Sequence, residues 1–258
     1  MLTLEQIEQQ YSENLRGFKR SLLREYLQYK ILEIIFASEY ASKLVFTGGT
    51  ALRIVYDNKR FSEDIDFDNF GLTDEEFKQV ADKVKSGLEA EGFQVEISIV
   101  GKESYRFNVR FPGLLFDNGL TNHQSEKILI QIDSLAQGFS YQPERKEITK
   151  FDVFTEIFTA SPDLLLSQKI NAVFTRKRAK GRDFYDIVFL LSFTKPNYQF
   201  LLQKWEIKNA EMLRKKLLEL SSDLNFTQLA SDVEQFLFNS SDRKKVELFP
   251  NFIRQVKL

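Results

Sequence analysis

The chain has 258 residues, 43% of them hydrophobic and 28% charged, with a formal net charge of -1. That length supports one large domain or a domain with a companion, and the near-zero charge supplies no global field that would commit the protein to nucleic acid or membrane. The absence of cysteine excludes disulfides, thiol catalysis and Cys-ligated zinc, while the single histidine, His123, rules out multi-histidine metal centres and argues against serine-protease triads.

The opening residues MLTLEQIEQQYSEN are polar and charged where a signal peptide needs an apolar stretch. No segment reaches the roughly 18 apolar residues of a membrane span, so the expected location is cytoplasmic. The 25 phenylalanines against 5 prolines supply core material with few forced breaks.

From Leu15 to Ser38, apolar residues recur at three- and four-residue spacing, which predicts an amphipathic helix. Lys43 to Thr47 reads as a short buried strand. Gly48, Gly49 and Thr50 then turn into the helix ALRIVY, and a basic loop, Asn58 to Phe61, returns the chain to a strand, EDIDFD. Successive side chains of a strand alternate faces, so Asp64 and Asp66 share one face while Ile65 and Phe67 anchor the other. Thr73 and Glu76 form a capping-box pattern that opens a helix through about Ala90, ended by Gly92.

The period changes between Phe93 and Leu135. GFQVEISIV, SYRFNVRF and EKILIQIDSL read as three strands, with FPGLLFDNG as a turn or hairpin tip. After Pro143 a short strand is expected around Val153 to Phe158. Ser161 and Pro162 then start a helix, serine at the N-cap and proline in the first turn, and nearly everything beyond is helical. The chain is therefore divided into an α/β part, residues 1–160, and an all-helical part, residues 161–258. The Phe and Leu residues between Leu224 and Phe252 fall at helical spacing and read as core.

Three groups of residues carry chemistry. Glycines admit close approach of phosphate, the helix after them offers unpaired N–H groups, and Thr50 adds a hydroxyl; Asp64 and Asp66 beyond them can hold a cation. Ser62 suits either a phosphate contact or a turn brace. Asp133 closes the run KILIQIDSL and reads either as a turn residue or, if its strand lies beside EDIDFD, as the third carboxylate of a metal-binding cluster. Finally, KINAVFTRKRAKGRDFYDIVFLL carries the basic residues Lys169, Arg176, Lys177, Arg178, Lys180 and Arg182, with Asp183 and Asp186 on one face of the next helix. This is either a solvated helix end or a cationic clamp for triphosphate or RNA backbone, with the aspartates positioning Lys169 or Arg176 or acting directly.

The segment FTGGTALRIVYDNKRFSEDIDF resembles the first two motifs of the AbiEii/AbiGii-type nucleotidyltransferase toxins, and KINAVFTRKRAKGRDFYDIVFLL resembles their later pair, a lysine with a downstream arginine and then an RDxxD helix. The resemblance spans about Leu44 to Ser192. It implies an α/β (α+β) fold of the DNA polymerase β-like nucleotidyltransferase type, a mixed sheet flanked by helices, with a helical C-terminal part that completes the active site. It also implies that Gly48, Gly49, Thr50 and Ser62 attend the nucleotide phosphates, with Asp64 and Asp66 binding Mg²⁺. Lys169, with Arg176, would neutralise triphosphate charge, and Asp183 would contribute to the active site; Asp133 is assigned as a metal ligand from the superfamily's third carboxylate. Family members are toxins paired with a cognate antitoxin in toxin–antitoxin or phage-defence systems, and some transfer nucleotides to tRNA. The expected activity is Mg²⁺-dependent transfer from an NTP to an RNA hydroxyl. The alternatives are nucleotide sensing or partner binding on the same fold without transfer, or nucleotidylation of a protein.

Overall fold

The computed structural model describes residues 1–100 and 105–258, so Ser104, expected to open the second strand of the middle region, lies outside the described residues. The chain divides into two compact units. One comprises Met1–Tyr56 with Phe61–Thr159, the other Asp57–Arg60 with Ala160–Leu258.

The first unit holds a seven-stranded sheet in the order β3-β4-β5-β2-β1-β7-β6. Its strands are β1 (Leu44–Thr47), β2 (Ile65–Asn69), β3 (Glu96–Ile99), β4 (Tyr105–Phe111), β5 (Ile128–Leu135), β6 (Glu144–Lys150) and β7 (Val153–Thr159). The sheet is mixed: β1 runs parallel to β7, β2 runs parallel to β5, and the other neighbours are antiparallel. Helices α1 (Leu4–Gln9), α2 (Lys19–Phe36), α3 (Gly48–Tyr56), α4 (Asp74–Ala90) and the single-turn α5 (Leu114–Asp117) complete the unit.

The phenylalanines do the packing that their number suggests. Phe36 and Phe46 meet Phe67, Phe77 meets Phe107 and Phe93 meets Phe111, all as tilted or edge-on pairs that lock α2 and α4 onto the sheet. The capping box at Thr73 and Glu76 forms, as does a second one at Thr3 and Gln6 that opens α1.

Three local differences from the sequence reading have physical causes. The turn after β4 carries α5, because Gly113 takes φ +72° and lets Leu115 bury its side chain. Charged β6 escapes a hydrophobic criterion because it is an edge strand, paired only with β7 and burying only Ile148. The strand β2 begins at Ile65, so Asp64 is the last residue of the approach loop and Asp66 lies within the strand.

The second unit is helical: α6 (Pro162–Thr175), α7 (Gly181–Leu190), α8 (Tyr198–Trp205), α9 (Ala210–Ser222), α10 (Phe226–Glu234), α11 (Lys244–Glu247) and α12 (Phe249–Gln255). Phe184, Phe226 and Phe249 meet ring to ring, and Leu229 and Leu237 are buried with them, whereas Leu248 is exposed and Leu224, Phe236, Phe238 and Phe252 are half-buried, so the core expected from helical spacing takes only part of this stretch. A Cβ at Gly181 would collide with the carbonyl oxygen of Leu229, so α7 and α10 pack in direct backbone contact that only glycine allows. The segment Asp57–Arg60 joins this unit through a bridge between Arg60 and Leu237, and Phe238 N–H donates to the Lys59 carbonyl at 3.1 Å.

Candidate active site

In the first unit, the turn and the carboxylates are built around one another. Strand register sets Thr47 opposite Asp66, and Asp66 opposite Asp133 on the other side. Gly48, which follows Thr47, takes φ +75°, and a Cβ on it would collide with the Asp66 carboxylate. Both facts require glycine there. The nine-residue helix α3 starts at this residue, which directs its first N–H groups toward the end of β1.

The loop before β2 is clamped at the backbone. Gln28 of α2, almost fully buried, donates from Nε2 to the carbonyls of Ser62 at 3.1 Å and Glu63 at 3.0 Å, and Arg24 pairs with Glu63. Thr50 is fully buried and donates its hydroxyl to the Asp64 carbonyl. The Thr50 side chain thus braces the loop that carries Asp64. Helix α3 is itself tied down at its far end, where Arg53 donates to Glu25 of α2 at 2.9 Å, and the same carboxylate accepts from Tyr11 and Lys150. Burial alone would lift the Glu25 carboxyl; Arg53 and Lys150 outweigh it and hold the group below the usual range, charged.

Asp64 and Asp66 keep intermediate exposure. Asp133 is brought alongside Asp66 in register, but its oxygens are occupied: Arg106 of β4 donates from Nε to Oδ1 at 2.5 Å and Gln131 from Nε2 to Oδ2 at 2.6 Å. The expected three-carboxylate cluster is therefore not what the side chains make. Among the described residues no group of three or more His, Asp or Glu side chains is placed to hold a metal ion. Two carboxylates suffice for Mg²⁺, which commonly takes one or two from the protein and fills its octahedron with water and substrate phosphate. Asp64 and Asp66, both partly exposed and with the half-buried Gly48 against Asp66, fit that chemistry.

In the second unit, Lys169 of α6 lies between the two aspartates of the RDxxD helix, 3.2 Å from Asp183 and 2.9 Å from Asp186. Arg176 approaches Asp183 at 2.8 Å, an ion-pair distance. Asp186 also accepts two bonds from Arg60, at 2.7 and 2.6 Å, and one from Asn58 at 2.9 Å. Burial alone would push the Lys169 ammonium down, yet Asp186 and Asp183 hold it above its ordinary value. Burial would likewise lift Asp186, and Arg60 with Lys169 hold it below the usual carboxylate range. Both groups are therefore charged at neutral pH.

Arg106, Arg60, Asn58 and Gln28 are the residues that sequence reasoning passed over. Arg60 and Asn58 sit in the basic loop that reads only as a connection between α3 and β2. Arg106 alternates with Phe107, Val109 and Phe111 in β4, as Arg110 does, and nothing local distinguishes the two arginines.

Comparison with known proteins agrees with this architecture. The family model described as nucleotidyl transferase AbiEii toxin, type IV toxin–antitoxin system, matches residues 30–248. JHP933 from Helicobacter pylori is similar over 91% of this chain and 92% of its own, with 21% identity and a TM-score of 0.56. A putative nucleotidyltransferase from H. pylori gives 21% identity and a TM-score of 0.58 over 95% and 96%. MenT4, a nucleotidyltransferase toxin from Mycobacterium tuberculosis H37Rv, gives 15% identity and a TM-score of 0.63 over 100% and 91%. No curated protein matches the chain in sequence.

Proposed function

The chain belongs to the AbiEii family of nucleotidyltransferase toxins, and on that premise we propose that it moves a nucleotide from a nucleoside triphosphate to an RNA hydroxyl, a tRNA among the candidates. A cognate antitoxin holds it in check, in a toxin–antitoxin or phage-defence setting. The observation that carries the reading is the fit of Gly48 to Asp66: a helix-opening turn without a side chain, set against a carboxylate that needs the space.

In the proposed reaction the acceptor oxygen bonds to the α-phosphorus, the bond from that phosphorus to the bridging oxygen breaks, and pyrophosphate leaves while the hydroxyl proton passes to water. Gly48 and Gly49 receive phosphate oxygens at the start of α3, where N–H groups and the helix dipole favour negative charge. Asp64 and Asp66 would hold a divalent metal, which would supply charge neutralisation to the phosphates. Gln28 and Thr50 keep the Asp64 loop in place. Ser62, whose backbone is the part held by Gln28, leaves its hydroxyl for a phosphate oxygen. Lys169, kept protonated by Asp183 and Asp186, supplies positive charge for the triphosphate, and Arg176 extends it.

Incubation with each labelled NTP, Mg²⁺ and total tRNA tests the reading. Label in RNA supports it. Label on protein replaces it with protein nucleotidylation, and no label with any NTP favours a binding module on the same fold. No described helix is long and apolar enough to cross a membrane.

A further inference from the structure

The pairing that removes Asp133 from the metal set gives Arg106 a task. Register places Arg106 directly opposite Asp133, which is itself opposite Asp66, so the three side chains stand on one face of adjacent strands β4, β5 and β2. Asp133 engages the guanidinium through Nε alone, and Gln131 fixes the other carboxylate oxygen. The two terminal nitrogens of Arg106 have no hydrogen-bond partner among the described residues, and its side chain is 41% exposed. The hydrogen bond to Asp133 above all strengthens the hold on its proton; desolvation opposes it, and the charges of Asp133, Asp64 and Asp66 add to it, so the cation lies within electrostatic reach of both carboxylates.

A guanidinium gripped at Nε presents its remaining edge as a rigid fork, and that fork matches two oxygens of a phosphate. We propose that Arg106 is a phosphate-binding residue of the transfer site, and that Asp133 is a positioning residue for it, not a third metal ligand. The ligand is a phosphoryl group, carried either by the nucleotide's polyphosphate or by the backbone of the acceptor strand. The assignment rests on the transferase reading for its context, but it concerns binding and can be tested without turnover.

The experiment uses the full chain with Arg106→Ala, Arg106→Lys and Asp133→Asn. Binding of inorganic tripolyphosphate, a non-hydrolysable NTP analogue and a short single-stranded RNA is measured by calorimetry, and binding of Mn²⁺ alone by electron paramagnetic resonance. Arg106→Ala should weaken at least one phosphate ligand about tenfold or more. Arg106→Lys should recover little of the loss, because an ammonium cannot serve Asp133 and fork onto phosphate together. Asp133→Asn should weaken the same ligand and leave Mn²⁺ affinity within about twofold.

Loss confined to tripolyphosphate and the NTP analogue assigns the fork to the nucleotide, and loss confined to RNA assigns it to the acceptor. Wild-type binding of all three ligands by Arg106→Ala overturns the proposal. So does tighter Mn²⁺ binding with unchanged phosphate binding, which would make Arg106 a mere counter-cation, and loss of Mn²⁺ by Asp133→Asn would return Asp133 to the metal. A chain that binds phosphate through Arg106 yet labels no RNA removes the transferase reading and leaves this assignment standing.

Discussion

The two units each carry a pair of aspartates from a short motif, and they treat them in opposite ways. Asp183 and Asp186 are 2% and 0% exposed and are matched by Arg60, Lys169 and Arg176. Asp64 and Asp66 remain partly exposed, one on a braced loop and one against a glycine. Buried carboxylates demand partners within the fold, whereas partly exposed ones keep part of their hydration. DxD and RDxxD, alike as acidic motifs, are thus set in different surroundings: the first keeps partial contact with solvent, the second is enclosed and holds a lysine and two arginines in place.

The largest expected effect tests the partly exposed pair. Asp64→Ala and Asp66→Ala should each lower transfer on the order of 10³-fold or more with melting close to wild type. Gly48→Ala should approach the same loss, since its methyl group displaces the Asp66 carboxylate and adds about 1–2 kcal/mol of left-handed strain. Full activity in these variants would break the comparison on its functional side. Next comes the buried pair: Asp186→Ala leaves Arg60 and Lys169 without their main partner and should destabilise the helical unit by about 3–5 kcal/mol, read from denaturant melts. An unaltered melt would show that the cluster is not what holds that unit together.

The pH dependence sharpens the same contrast. Because the folded Asp186 carboxyl lies below its ordinary range, its stabilisation is complete above about pH 4 to 5 and is lost as pH falls through the lower folded value. Lys169 is raised, so its contribution is complete below about pH 10 and is lost as pH climbs through its higher folded value. Melting temperature should therefore be flat from about pH 6 to 9 and fall on the acid side, with a shallower acid slope in Asp186→Asn; equal slopes would contradict this sign. Lys169→Met should raise the nucleotide concentration for half-maximal rate by about tenfold, whereas a purely structural lysine would change the melt and leave that concentration alone. The smallest effect is expected at Thr50→Val, about 1 kcal/mol for one hydrogen bond to the Asp64 carbonyl, with a modest loss of rate.

Much of this was legible in sequence because its causes are local. Alternation in IDFD, glycine at the end of a strand, the Thr73–Glu76 capping box and Pro162 after Ser161 each announce an element within a few residues. The Thr3–Gln6 box was equally readable and identifies α1. What sequence could not supply was pairing at a distance. Asp133 looked like a ligand because nothing near it in sequence reveals that Arg106 sits across the ladder, and Asp186 gives no hint that its strongest partner comes from a loop between α3 and β2. Charged edge strand β6 was hidden for a different reason: half-buried hydrogen bonding to one neighbour needs little apolar pattern.

That loop has a consequence for synthesis. Arg60 leaves the ribosome 126 residues ahead of Asp186, so the cation that will end in the interior of the helical unit is made before strands β2 to β7 and waits while they are translated. The helical unit cannot be finished from its own contiguous sequence: a fragment beginning at Ala160 lacks Arg60 and Asn58, and a chain stopped at Thr159 carries Arg60 without Asp186. Completion of that unit is thus a late event in the life of the nascent chain, and ordering of the Asp57–Arg60 loop can serve as its clock.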